Sequence, residues 1–321
     1  MAKLKIGIIG VGHMGQYHLN IFSNLPEVAI AGIYDTNEER LLDLGNRYGV
    51  PAFDNYKKLI KKCDALCIAS PTVTHFEIAR DTLMGTKHVL LEKPMTTTLE
   101  EAKDLVNIAK KKKVIFQVGH VERFNGAVQQ LKNIIFNPFY IETKRLGPFQ
   151  VRSSDVSVVL DLMIHDIDIL LNLVEDEVVE ISAVGRPVYS KFEDISVAQI
   201  RFAGGCFATV MASRASQKKV RNLSVMQKDS FVFLDYSTQD IEIHRQASTA
   251  YLLTPEEIRY SQESFVEHLQ VHKDNPLKLE LLHFINCIYH KEEPIVDNKQ
   301  DLLTLELSLK IIEQINKKLR K

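Results

Sequence analysis

Three observations predict an α/β chain in which a doubly wound parallel sheet is followed by a mostly antiparallel one. Apolar runs alternate with helical patterns over residues 1–121, at the spacing of βαβ units. The first run enters a turn in which Gly10, Gly12 and Gly15 stand at G-x-G-x-x-G spacing, with a helical pattern behind it. That context is what separates a Rossmann-type turn from an ordinary glycine cluster. From residue 178 onward, strand-like runs follow one another without helices between them. A length of 321 residues suits about two domains. They are placed at 1–121 and 122–321, with the C-terminal helix expected to pack back on the first.

The elements follow in order. Residues 4–9 form strand one and 13–25 helix one; Val28–Tyr34 is strand two, apolar throughout as a doubly covered parallel strand should be. Helix two, Glu38–Tyr48, turns Leu41, Leu42 and Leu44 inward and stops at Gly49. A short third strand is expected at Pro51–Phe53 and a helical turn at Asn55–Lys61. Strand four, Asp64–Ala69, ends in Ser70-Pro71-Thr72, and a helix runs from Thr74 to Met84. Strand five, His88–Glu92, ends at Lys93-Pro94; a helix over 98–112 leads to strand six, Val114–Val118. Beyond residue 121 come a helix at Asn125–Phe136, a strand at Tyr140–Arg145 and an apolar helix at Val158–Leu173. Strands are expected at 178–184, 194–203, 205–213, 220–227 and, in two pieces, 230–245, with a two-residue turn at Gly204-Gly205. Residues 247–275 read as a loop or mobile flap, and two helices, Leu277–His290 and Gln300–Leu319, close the chain.

Composition removes several function classes. A net charge of −1 gives no broad field for nucleic acid or anionic lipid, and no run approaches the ~18 apolar residues of a membrane span. The lysines before the first apolar run superficially resemble a signal peptide, but that run leads straight into the glycine turn and reads as a strand. Cys63, Cys67, Cys206 and Cys287 show no disulfide framework and no C-x-x-C pair, as expected of a cytoplasmic protein.

The chemistry is concentrated in four stretches. In the first, Gly10 permits a tight turn, Gly12 lets a pyrophosphate approach the backbone, and Gly15 lets helix and strand pack closely. His13 and Met14 open the helix whose N-terminus faces those phosphates. Asp35, at the tip of strand two, can accept hydrogen bonds from the adenosine ribose and repel a 2′-phosphate, which favours NAD over NADP; it can equally cap helix two. The second stretch holds Glu92, Lys93 and Pro94 at the carboxyl end of a strand, where ligands of such sheets bind. A lysine there suits proton transfer, although a solvated loop lysine satisfies the same sequence. The third, VVLDLMIHDID, places Asp161 and His165 four apart on one helical face. A carboxylate one turn away can orient an imidazole, in a reaction or as a buried structural pair. His165 with Asp168, or His268 with His272, has helical spacing for a metal, but neither pair has a convincing third ligand, so no metal is expected. The fourth, Gln117–Asn125, offers His120, Arg123 and Asn125 near the domain boundary. Arg123 there can bind a phosphate or carboxylate of a substrate, or tie the domains together.

The order GVGHMGQYH, SPTVTH, EKP, D-x-x-x-H resembles the glucose–fructose oxidoreductase/inositol dehydrogenase/rhizopine-catabolism (Gfo/Idh/MocA) family along nearly the whole chain. The resemblance implies an N-terminal Rossmann domain and a C-terminal α/β domain with an open sheet that packs in homo-oligomers. It implies that Lys93 stands beside the nicotinamide, that His165 is the base, and that Asp161 is its partner or a substrate ligand. Ser70, Pro71, Thr72 and His75 match the segment passing along the cofactor. Two features depart from the pattern: Met163 stands where a glycine is common, and SSDVSVV replaces a glycine-rich lead-in. GHVERFN with LDLMIHDIDI most resembles the branch that oxidises nucleotide sugars. That branch implies oxidation of UDP-N-acetylglucosamine to its 3-keto form, which a pyridoxal-phosphate aminotransferase converts to a diamino sugar for lipid A. A free polyol, an inositol or a UDP-sugar acid is the alternative substrate, and a non-enzymatic NAD-binding sensor the alternative class.

Overall fold

The computed structural model describes residues 2–150, 156–254, 257–295 and 297–319, with the backbone alone given for residues 246–264. The chain forms two compact units. One comprises Met1–Phe124 with Asn275–Leu309, the other Asn125–Asp274 with Lys310–Lys321. Residues 275–309 thus belong with the first unit, whereas a single cut near residue 121 assigns them to the second.

The first unit is built on a five-stranded parallel sheet in the order β2-β1-β3-β4-β5. Its strands are β1 (Leu4–Ile9), β2 (Val28–Tyr34), β3 (Ala65–Ile68), β4 (His88–Glu92) and β5 (Phe116–Gly119). Helices α1 (His13–Ser23), α2 (Glu38–Tyr48), α3 (Tyr56–Ile60), α4 (Thr72–Met84) and α5 (Leu99–Lys112) make the connections. β3 and β5 are buried at every position and β4 at all but His88, as the largely apolar sequences of parallel strands covered on both faces require. The strand expected at Pro51–Phe53 is reduced to a single bridge between Ile33 and Ala52. Ile33 N donates to Pro51 O and Phe53 N to Ile33 O, and Pro51 has no N–H to extend the ladder. A short 3₁₀ turn, Val121–Phe124, follows β5. Helix α8 (Pro276–His290) then contributes Leu281, Phe284 and Ile285 to the same core as Leu4, Ile6, Leu19 and Phe22.

The second unit carries an eight-stranded sheet in the order β13-β12-β11-β10-β6-β9-β8-β7. Its strands are β6 (Tyr140–Leu146), β7 (Val178–Arg186), β8 (Ile195–Phe202), β9 (Phe207–Ser213), β10 (Val220–Gln227), β11 (Ser230–Asp235), β12 (Asp240–Thr254) and β13 (Glu257–Leu269). β6 and β9 pair in parallel and every other neighbouring pair is antiparallel. Residues 247–254 and 257–269 are not a loop: β12 and β13 pair antiparallel from Ile241–Leu269 to Thr254–Glu257, with a register shift between Leu252 and Thr254. The expected two-residue turn at Gly204-Gly205 is longer. Phe202 N donates to Cys206 O and Gly205 N to Phe202 O, with Gly205 at φ +94°, a conformation open to glycine. Helices α6 (Gly126–Ile134), α7 (Ile164–Leu173) and the end of α9 (Asn298–Leu319) complete the unit.

The alternation along β6 buries Ile141, Thr143 and Arg145 on one face, and α7 packs against this strand. Arg145 is among the largest fully buried side chains. Its Nε and Nη2 donate to Asp166 Oδ2 and Oδ1 at 2.8 and 3.0 Å, and its guanidinium lies 4.9 Å from the Tyr236 ring centroid. Both charges are sealed from water, so removing one leaves the other uncompensated. Asp166→Asn is expected to lower the unfolding free energy by about 3–5 kcal/mol, measured by urea or thermal denaturation.

Candidate active site

The glycine turn is held by backbone geometry. Gly10 sits at φ +84°, and a Cβ there would strike the Ala69–Ser70 backbone. A Cβ at Gly15 would collide with the Gly10 carbonyl, so the start of α1 and the end of β1 touch directly. Gly12 differs: a Cβ there meets only Arg40 Nη1, at 3.6 Å. The space above Gly12 is therefore open to a phosphate. α1 begins at Gly12 and α4 at Pro71, each without a side-chain cap among the described residues. By contrast α2, α3, α5, α6 and α8 carry Asn or Thr caps. Among α1–α5, the two without such a cap are those following β1 and β3, where a dinucleotide crosses such a sheet; α7 in the second unit also lacks one. His13 is exposed and stacks edge-on against Tyr17 at 4.8 Å, and Met14 is half-buried behind it.

Asp35 does not cap α2; Asn37 does, accepting from Arg40 N. Asp35 Oδ2 instead accepts from Val11 N at 2.8 Å, which locks strand two to the phosphate turn. Arg40, a helical turn away in sequence, folds back so that Nη1 lies 3.5 Å from the same oxygen.

The segment from Ser70 to His75 is tied to the EKP turn. His75 is buried, with Nδ1 2.9 Å from Pro94 O and Nε2 2.9 Å from Ser70 O. Burial pulls its pKa down in spite of these carbonyls, so the ring is neutral and donates to one of them at a time. Ser70 Oγ and Thr74 Oγ1 share a 2.8 Å hydrogen bond, and Thr72 opens α4 half-buried. Lys93 is half-buried at the end of β4, and the Lys93–Pro94 bond is cis.

Behind Lys93 lies a charged cluster that no motif announces. Glu92 Oε2 accepts from Lys93 N at 3.3 Å, and Oε1 pairs with His18 Nε2 at 3.1 Å. His18 Nδ1 in turn is 2.7 Å from Cys67 Sγ. Burial disfavours the His18 imidazolium, but Cys67 and Glu92 more than offset it and raise its pKa well above the ordinary value. Burial likewise opposes ionisation of Glu92, yet His18 and then Lys93 hold its pKa low. The pair is therefore imidazolium and carboxylate at neutral pH. Glu280, from α8, is fully buried nearby, and neither carboxylate oxygen has a hydrogen-bond partner among the described residues. Burial, and then the charge of Glu92, push its pKa well above the carboxylate range, so it keeps its proton.

The fourth stretch serves the interior. His120 Nε2 is 3.6 Å and Arg123 Nη2 3.3 Å from Asp301 Oδ1, all three side chains being buried within the first unit. Asn125 caps α6 through Ala127 N and donates from Nδ2 to Tyr236 O in the second unit.

In the second unit, Asp161 and His165 do not share a regular helix. Val159–Met163 is a π turn and the α-helix begins at Ile164. Such turns shift the hydrogen-bond ladder and occur often at functional sites. Asp161, Leu162 and His165 are half-buried, while Asp166 and Asp168 are buried. Arg214 Nη1 lies 3.9 Å from Asp161 Oδ2. Residues 153–155 of the atypical lead-in fall outside the described residues. His268 lies on β13, not on a helix, so the helical metal spacing with His272 does not exist.

A glycine turn with open space above Gly12, an aspartate at the end of strand two and a lysine at the carboxyl edge of the sheet fit a nicotinamide-dependent oxidoreductase. The sequence models place it further: the oxidoreductase family with an NAD-binding Rossmann fold (GFO/IDH/MocA) matches residues 4–120, and the GFO/IDH/MocA C-terminal domain matches residues 126–230. The chain belongs to this family, and it is an oxidoreductase acting on CH–OH groups. It is 34% identical to the UDP-N-acetylglucosamine 3-dehydrogenase of Acidithiobacillus ferrooxidans, over 78% of this chain and 80% of that one. A solved structure of that enzyme superposes with a TM-score of 0.87 at 29% identity, covering 98% of both chains. The scyllo-inositol 2-dehydrogenase (NAD+) of Bacillus subtilis is 26% identical over 96% of this chain and 92% of its own.

Glu280 offers a direct test of the buried cluster. A folded-state pKa raised above the unfolded one means that stability falls as pH climbs from the carboxylate range, because only the folded chain still holds the proton. Glu280→Gln removes this slope. Relative to wild type, its unfolding free energy is expected to rise progressively between about pH 5 and about pH 8, the gap widening by at most about 1.4 kcal/mol per pH unit in denaturation measurements. A gap independent of pH would show that Glu280 is ionised in the fold.

Proposed function

We propose that this chain oxidises the C3 hydroxyl of UDP-N-acetylglucosamine with NAD, giving the 3-keto sugar nucleotide. The observation that carries the reading is the 34% identity to an enzyme of that name across most of both chains. It is supported by the presence here of Lys93, Asp161 and His165, the residues such chemistry needs.

Gly10, Gly12, His13, Met14 and Gly15 would hold the cofactor phosphates, Asp35 the ribose, and Ser70, Pro71, Thr72, His75 and Glu92 the path toward the nicotinamide. When bound, the nicotinamide supplies the hydride acceptor. His165 takes the proton of the sugar hydroxyl as the carbonyl forms. Lys93 hydrogen-bonds the same oxygen and stabilises its developing negative charge. Asp161 sets the tautomer of His165 or binds the sugar. His120, Arg123 and Asn125 would contribute to binding the substrate. NAD is favoured over NADP because the Asp35 carboxylate would repel a 2′-phosphate, and Arg40, the nearest cation, is already paired with it. The product is a substrate for a pyridoxal-phosphate aminotransferase, which places the reaction in diamino-sugar lipid A synthesis. A cytoplasmic homo-oligomer completes the reading, in keeping with four buried, free cysteines.

The inositol alternative is favoured by the scyllo-inositol relative, which matches over a longer span at lower identity. Purified protein with NAD is expected to reduce the cofactor with UDP-N-acetylglucosamine and not with scyllo- or myo-inositol; the reverse would establish the alternative. No oxidation of any sugar or polyol despite NAD binding would favour the sensor. His165→Asn and Lys93→Met are each expected to lower kcat by about 10²–10⁴-fold while leaving NAD affinity within a few-fold. Wild-type turnover in either variant would remove that residue from the mechanism.

A further inference from the structure

Beside the π turn that carries Asp161, the second unit holds a guanidinium in a socket built around it. Arg214 follows β9 directly, and its side chain is only 3% exposed. Nε donates to Asp194 Oδ1 at 2.7 Å, Nη2 donates to Ser190 Oγ at 3.0 Å, and Nη1 faces Asp161 Oδ2 at 3.9 Å. The Phe149 ring centroid lies 6.0 Å from Cζ.

Asp194 is wholly buried and fixed more firmly still. Its Oδ2 accepts the amides of Val188, Tyr189 and Ser190 at 2.7, 2.6 and 2.9 Å, and its Oδ1 accepts from Ser190 Oγ at 2.9 Å. Burial opposes its ionisation, but these amides together with Arg214 outweigh it and hold its pKa below the ordinary carboxylate range. The main chain repeats the connection. Arg214 N donates to Asp194 O, and Val158 N, at the entry to the π turn, donates to Glu193 O.

Three amides, a hydroxyl and one edge of the guanidinium already satisfy Asp194. The same guanidinium also brings Nη1 within 3.9 Å of a half-buried carboxylate on the one π turn among the described residues. The fork is rigid, so fixing Nε and Nη2 also fixes where Nη1 points. We propose that Arg214, clamped by Asp194, is a positioning residue that orients Asp161 for its work with His165 or the sugar. The inference rests on the reading of Asp161 given above. It adds a residue 53 positions further along the chain, from Asp161 to Arg214, to the functional set.

The test is a double-mutant cycle between Arg214→Lys and Asp161→Asn, run with NAD and whichever of UDP-N-acetylglucosamine or inositol is oxidised. Lysine keeps a cation for Asp194 and gives up the fork, so the fold is retained and melting checks it. Arg214→Lys alone is expected to lower kcat by about ten- to a hundredfold with NAD affinity unchanged. In the Asp161→Asn background the same change is expected to cost less than about twofold, because the group it orients is gone. Equal losses in both backgrounds overturn the proposal and leave the role of Asp161 standing. Wild-type kcat in Asp161→Asn overturns both. A readout without substrate guards against an error in the substrate. Amide exchange at residues 159–163 is expected to quicken about tenfold in Arg214→Lys while the sheet is unaffected. Unchanged exchange there overturns the proposal.

Discussion

The contact between Gly15 and the Gly10 carbonyl is the constraint from which the rest of the first unit follows. With no side chain between them, α1 settles directly on the sheet. One turn further along the same face, His18 then reaches both Cys67 on β3 and Glu92 on β4. Glu92 holds the amide of Lys93. The turn proposed to hold the phosphates is thus mechanically continuous, through one buried imidazole, with the lysine proposed to touch the reacting oxygen. Any side chain at position 15 would lift α1 and draw His18 away from both partners.

The two units solve the burial of charge in parallel ways. In the first, His18 and Glu92 neutralise each other, and Glu280 avoids the cost by remaining protonated. In the second, Arg145 grips Asp166 and Arg214 grips Asp194. Paired charges of this kind add little net stability but fix geometry, since removing either partner is costly. Lys93, Asp161 and His165, the residues proposed to meet the substrate, stand apart from these interior pairs in being half-buried.

What could be read from the sequence was what is local. The glycine turn, EKP and D-x-x-x-H each lie within a few residues, and the apolar strands announce themselves by composition. His18 was visible within GVGHMGQYH, yet its partners at positions 67 and 92 come only from the sheet order. Arg214, Asp194, Glu280 and Asp301 act through contacts far from any motif, and a lone arginine after a strand carries no signal of its own. The π turn was hidden because a shifted hydrogen-bond ladder leaves hydrophobic spacing nearly intact. The β12–β13 pair was missed because its mixed polar sequence lacks the alternating apolar face by which strands are recognised; its pairing rests on the backbone. Pro51–Phe53 failed in the opposite sense, β-like in composition but short of a donor.

The central claim is that hydride leaves carbon 3 of a nucleotide sugar for the nicotinamide. It is tested most directly by incubating UDP-N-acetylglucosamine deuterated at that carbon with the enzyme and NAD, then locating the label by mass spectrometry. Deuterium in the reduced cofactor, with a 3-keto sugar nucleotide as co-product, is the expected result. Reduced cofactor without label, or a sugar that keeps its deuterium under turnover, would contradict it.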